Sequence, residues 1–147
     1  MRSFWPLAPL IVAACALFQS PDEAPLPVGT WGGKDAGMIV TDSGAHVHVG
    51  CTLGDVPAAI TLDAHGRFDV PGSYTLSVGP VASGPGLPAR YTGDVDLLAL
   101  SLTITVDDTV SHRTVVLGPV RLRFGVRPEM GPCPICATPS DRMRATR

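Results

Sequence analysis

Between Leu100 and Val106 the chain reads Leu-Ser-Leu-Thr-Ile-Thr-Val, apolar at every even position and polar at every odd one. A period of two belongs to an extended strand with one buried and one wet face; a helix cannot present it. The alternation recurs in Ala45–Cys51, where Val47, Val49 and Cys51 share a face, and in Ala89–Val95. From Thr114 to Phe124 the even positions are expected on one face, with Arg113, Arg121 and Arg123 opposite. Further strands are expected at Thr30–Gly33, Met38–Thr41, Ala58–Leu62, Arg67–Val70 and Ser73–Val78. From Gly29 onward no segment has a helical period.

What separates these runs is as informative as the runs. Sixteen glycines and 15 prolines in 147 residues are roughly twice the usual share, too much punctuation for long helices. Asp42-Ser43-Gly44 and Ala64-His65-Gly66 read as compact hairpin connections, and Pro71-Gly72 as a break in one long strand. Val81–Pro88 is the longest expected loop. The resulting expectation is all-β: a single small antiparallel up-and-down β-barrel of about eight strands, with a sandwich second. Closure removes the edges that an open sheet of that size would leave exposed. At 45% apolar residues, the chain can fill one core.

The first residues tell a different story. Met1-Arg2 precedes a nearly uncharged run whose apolar part, Phe4–Phe18, is too short to span a bilayer. One positive charge before a short apolar stretch reads as an export signal. Within it, Val12-Ala13-Ala14-Cys15 resembles the lipobox of bacterial lipoproteins, which implies a signal peptide over 1–14 and lipidation of Cys15. An ordinary cleaved signal at Ala14-Cys15-Ala16 is the alternative. Ala16 after the cysteine implies, by the same resemblance, sorting to the outer membrane of a Gram-negative cell. Residues 15–28, with three prolines between Gln19 and Val28, read as a tether between membrane anchor and domain. Residues 29–130 read as the barrel and 131–147 as a Cys-x-x-Cys segment followed by an unstructured basic tail.

Gly29-Thr-Trp-Gly-Gly33, Thr41-Asp-Ser-Gly-Ala45, Cys51, Leu62-Asp-Ala-His-Gly-Arg-Phe68, Val70-Pro-Gly72 with Tyr74, and Ala89-Arg-Tyr91 occur in this order. Together they resemble a family of uncharacterised bacterial exported proteins with a small β-barrel. That resemblance implies a fold and carries no activity, ligand or catalytic residue.

With Cys15 lipidated, Cys51, Cys133 and Cys136 remain, in an oxidising compartment where a disulfide is the default. A bridge from Cys51 to Cys133 or Cys136 closes a loop worth roughly 4.5 kcal/mol in the chain-entropy model, against roughly 2 for a Cys133–Cys136 ring. Cys51 is therefore expected to tie the C-terminal segment to the barrel, with either partner. The resembling family also carries cysteines at similar places. Gly131-Pro-Cys-Pro-Ile-Cys136 could instead be a redox or metal motif, but no following helix supplies the dipole that activates such a thiol.

His46-x-His48 puts two imidazoles on one face of a strand, and Asp42, His65 or the Cys133/Cys136 pair are conceivable third metal ligands. Both are more simply the wet face opposite Val47 and Val49. Asp94, Asp96, Asp107 and Asp108 are expected at surfaces and turns, His65 and His112 exposed, and Trp31 in the core. No catalytic, calcium-loop or phosphate-loop motif occurs, and no cofactor is implied. A net charge of −2, with the basic cluster confined to Arg142, Arg144 and Arg147, argues against nucleic-acid binding. The expectation is a lipid-anchored cell-envelope protein that binds or interacts and is not an enzyme. One alternative is a lipocalin-like small-ligand carrier, disfavoured by the few aromatic residues; the other is a metal or redox site at His46, His48, Cys133 and Cys136.

Overall fold

The computed structural model describes residues 23–76, 86–131 and 133. Ten strands follow in chain order: β1 (Ala24–Pro25), β2 (Gly29–Gly33), β3 (Ala36–Thr41), β4 (Gly44–Val49), β5 (Thr52–Val56), β6 (Thr61–Leu62), β7 (Arg67–Thr75), β8 (Leu87–Asp96), β9 (Ala99–Asp108) and β10 (Arg113–Phe124). Eight of them close an antiparallel barrel in the order β10-β2-β3-β4-β5-β7-β8-β9, and β1 pairs with β6 apart from it. The expected all-β barrel is the observed fold, and the described residues hold no helix.

Alternation sets the inside. Leu100, Leu102, Ile104 and Val106 of β9 point inward with Trp31, Met38, Val47, Tyr74 and Tyr91, all essentially without solvent contact. The two buried hydroxyls are satisfied: Tyr91 donates to the Ser73 carbonyl at 2.7 Å, and Tyr74 lies 2.8 Å from the Thr52 hydroxyl. Outward positions carry Arg67, Asp69, Arg90, Thr92, Asp94, Ser101 and Thr103. Over β7–β9 this outer wall is polar, unlike the apolar lipid-facing band of a membrane-spanning barrel, while Ile39 and Val116 are exposed elsewhere.

Several sequence expectations give way to tertiary context. Pro71-Gly72 does not break β7, which pairs continuously with β8 from Arg67 to Tyr74. β5 reaches only as far as Ser73, so Pro71 lies where one side of the strand is open and a missing N–H costs nothing. Ala58–Leu62 is not a barrel strand; only Thr61–Leu62 pairs, and it pairs with Ala24–Pro25. β5, absent from the sequence reading, occupies the vacated place. Strand β4 stops at Val49, and Cys51 sits in the two-residue turn to β5, where Gly50 takes φ +57°. In β10 the even set does not stay on one face. Leu117 pairs with Ile104 and Val120 with Leu102, so Gly118-Pro119 inserts one extra residue. Before this bulge Val115 and Leu117 pack on the core and Val116 is exposed; after it Val120, Leu122 and Phe124 face in.

The proline-rich segment before the barrel is not all tether. Ala24 and Pro25 pair with Leu62 and Thr61, and Leu26 donates its N–H to the Ile60 carbonyl at 2.9 Å. Pro25 falls between the hydrogen-bonded positions, where no donor is required. Leu26, Ile60 and Leu62 are buried in the core cluster and cover the barrel end at which the chain enters. The last barrel strand ends at Phe124.

Candidate functional site

After Phe124 the chain turns at Gly125 (φ +75°) and runs back along the outer wall as a strap. Glu129 donates to the Gly33 carbonyl, and Asp35 donates to the carbonyl of Glu129, both at 2.9 Å. Outward-facing Gly32 and Gly37 make room. A Cβ at Gly32 would lie 2.3 Å from the Val126 carbonyl oxygen, and one at Gly37 would lie 2.4 Å from Pro128 Cγ. The strap ends at the far end of the barrel, where Cys133 is disulfide-bonded to Cys51 with Cα atoms 5.5 Å apart. Of the two partners open to Cys51, the structure therefore pairs Cys133, which removes that thiol from any metal or redox set. Cys15 and Cys136 lie outside the described residues.

His46 and His48 stand on the wall beside this strap. Their side chains share the outer face of β4, and register brings Asp55 of β5 opposite His46 and Gly37 of β3 opposite His48. The His46 Nδ1 and Asp55 Oδ1 are 2.6 Å apart, and the two Nε2 atoms of His46 and His48 are 3.0 Å apart. A carboxylate only accepts, so His46 Nδ1 carries a proton, and one further proton lies on the line between the Nε2 atoms. Partial burial, and then the neighbouring His46 ring, hold His48 below the ordinary imidazole range, while Asp55 opposes them. Pro128 and Met130 of the strap, with Ile39, complete a small cleft of about 180 Å³ against the pair.

The other expected ligands stay away. Among the described residues no group of three His, Cys, Asp or Glu side chains converges as a metal site, because Asp55 engages the nitrogen of His46 that faces away from His48. Asp55 could not be found from sequence, since Gly54-Asp55 looks like a turn and its strand was not expected. His65 and His112 are exposed, as expected. Asp108 holds its turn role yet is buried, accepting from Ser111 N–H at 3.0 Å and facing the Arg113 guanidinium at 3.2 Å.

A second feature lies at the entry end. The β8–β9 hairpin turns through Leu97-Leu98, which are 89% and 56% exposed, and Leu97 adopts φ +54°. Leucine gains nothing from that left-handed conformation, which favours Gly or Asn. Phe124 donates to the Leu98 carbonyl at 2.9 Å, Gly29 abuts the Phe124 ring, and exposed Val28 and Val126 flank the same rim. A groove of about 620 Å³ lies outside β7–β9 and has Asp63, Asp69, Asp94 and Arg67 among its lining. Trp31, Met38, Tyr74, Tyr91, Leu102 and Ile104 are buried in the core cluster inside the barrel.

No protein-family model, curated protein or solved structure matches the chain.

Proposed function

We propose that this chain is an exported, lipid-anchored cell-envelope protein whose barrel is a non-enzymatic interaction module. The observation that carries this reading is the Leu97-Leu98 hairpin tip, two exposed leucines on the rim where the tether enters. An exposed apolar tip in an unfavourable backbone conformation is better suited to contact than to stability. The lipobox-like Val12-Ala13-Ala14-Cys15 supports the anchor, and its acyl chains would hold this rim near a membrane surface. The apolar side chains buried inside the barrel give no support to the ligand-carrier alternative. The Cys51–Cys133 bridge likewise takes a thiolate away from the redox alternative.

Two experiments test the halves separately. Cys15→Ala is expected to release the protein into the soluble envelope fraction; unchanged membrane association sinks the anchor. A photo-crosslinking side chain at position 97 in cells is expected to give a discrete adduct that disappears when Leu98→Ser is added. Adducts no stronger than those from the same probe at Thr103, on the polar wall, sink the interaction tip.

A further inference from the structure

Two imidazole Nε2 atoms held 3.0 Å apart on one strand face are spaced for a shared cation as well as for a shared proton. Metal–imidazole bonds of ~2.0–2.1 Å at angles of ~90–110° place two nitrogens ~2.9–3.4 Å apart, and the square arrangement preferred by Cu(II) sits at the short end. We propose that His46 Nε2 and His48 Nε2 form a bidentate chelate for Cu(II), with Asp55 orienting His46. The tautomer is already set. Asp55 accepts a hydrogen bond from His46 Nδ1–H, as outer carboxylates do for metal-bound histidines, which leaves the Nε2 lone pair facing His48. Backbone register fixes the rest, since β3, β4 and β5 hold Gly37, His48 and Leu53 in one row and Ile39, His46 and Asp55 in the next. Imidazole donors with open coordination positions favour copper over zinc by the general order of divalent affinities. The strap shelters one side of the site with Pro128 and Met130.

The test adds Cu(II) alone to the full chain, oxidised at Cys51–Cys133 and alkylated at its free thiols, in competition with glycine. One equivalent is expected to bind, with electron paramagnetic resonance splitting from two imidazole nitrogens. His46→Ala and His48→Ala should each weaken binding at least 100-fold, and Asp55→Asn about 10–100-fold. His65→Ala and His112→Ala should leave it unchanged. Affinity that survives both His46→Ala and His48→Ala, or that a single-histidine variant matches, overturns the site. Should either alanine variant fail to fold, nuclear magnetic resonance of the wild-type chain decides. Substoichiometric Cu(II) must broaden His46, His48 and Asp55 first, and earlier broadening of His65 or His112 overturns the proposal.

Discussion

Pro128 of the strap lies directly on Gly37 of β3, so close that a methyl group at position 37 would fall 2.4 Å from the Pro128 ring. The contact explains why a strand so well packed on its inner face carries a glycine on its outer one. Gly37→Ala is expected to push the strap outward and to cost about 1–3 kcal/mol, as overpacking does. Gly32→Ala should cost more, because its obstacle is the strap backbone at 2.3 Å and no side chain can swing aside. Urea unfolding checks both, and a Gly37→Ala midpoint equal to wild type would mean that the strap does not bear on the wall.

The strap is also fastened covalently across a sequence separation of 82 residues. Loss of that bridge should destabilise the oxidised protein by about 2–5 kcal/mol. Cys51→Ser, Cys133→Ser and the double variant should therefore unfold at one common, lowered midpoint, since each removes the same cross-link. Cys136→Ser should unfold as wild type does. A Cys133→Ser midpoint clearly above that of Cys51→Ser would show that Cys136 takes over the bridge.

The barrel was readable because β4, β8 and β9 alternate cleanly and because Asp42-Ser43 joins β3 to β4 as a tight turn should. Where reading failed, a neighbour outvoted local chemistry. Pro71-Gly72 stays in β7 because one side of the strand is unpartnered there, and β10 changes face because Gly118-Pro119 adds a residue that the period cannot reveal. The site was half readable for the same reason. His46 and His48 share a face by spacing alone, whereas Asp55 and Pro128 reach them through register and through a strap with no periodic signature.

Leu97 supplies a test of strain that is independent of any partner. Its side chain is 89% exposed and its φ is +54°, so a smaller residue there loses little burial and relieves the backbone. Leu97→Gly should raise stability by about 0.5–1 kcal/mol, with Leu97→Asn in the same direction and Leu97→Ala showing no such gain. A lowered midpoint for Leu97→Gly would show that the leucine packs at the rim after all. Higher stability of Leu97→Gly, together with loss of the adduct from a photo-crosslinking side chain placed at position 98, would mark the residue as one kept for contact.

Acid should loosen the two ends of the barrel before its wall. The Arg67 backbone N–H, donating at 2.9 Å, is the main group holding the Asp63 carboxyl below its ordinary value, and His65 N–H adds to it at 2.8 Å. At the other end the Ser111 N–H is the main group that lowers Asp108, with Arg113 assisting. Both carboxyls bind protons less readily folded than unfolded, where the ordinary value is 3.8. Their stabilisation is therefore complete above that value and disappears as pH falls from there through the lowered folded range. These two carboxyls should leave urea midpoints level down to about pH 5 and lower them below about pH 4, while His48, held below the ordinary 6.5, removes some stability as pH falls beneath that value. The Asp63→Asn, Asp108→Asn double variant should start lower at neutral pH and show a shallower acid limb. An acid limb as steep as that of wild type would assign the loss to other carboxylates and remove these two turns from the account.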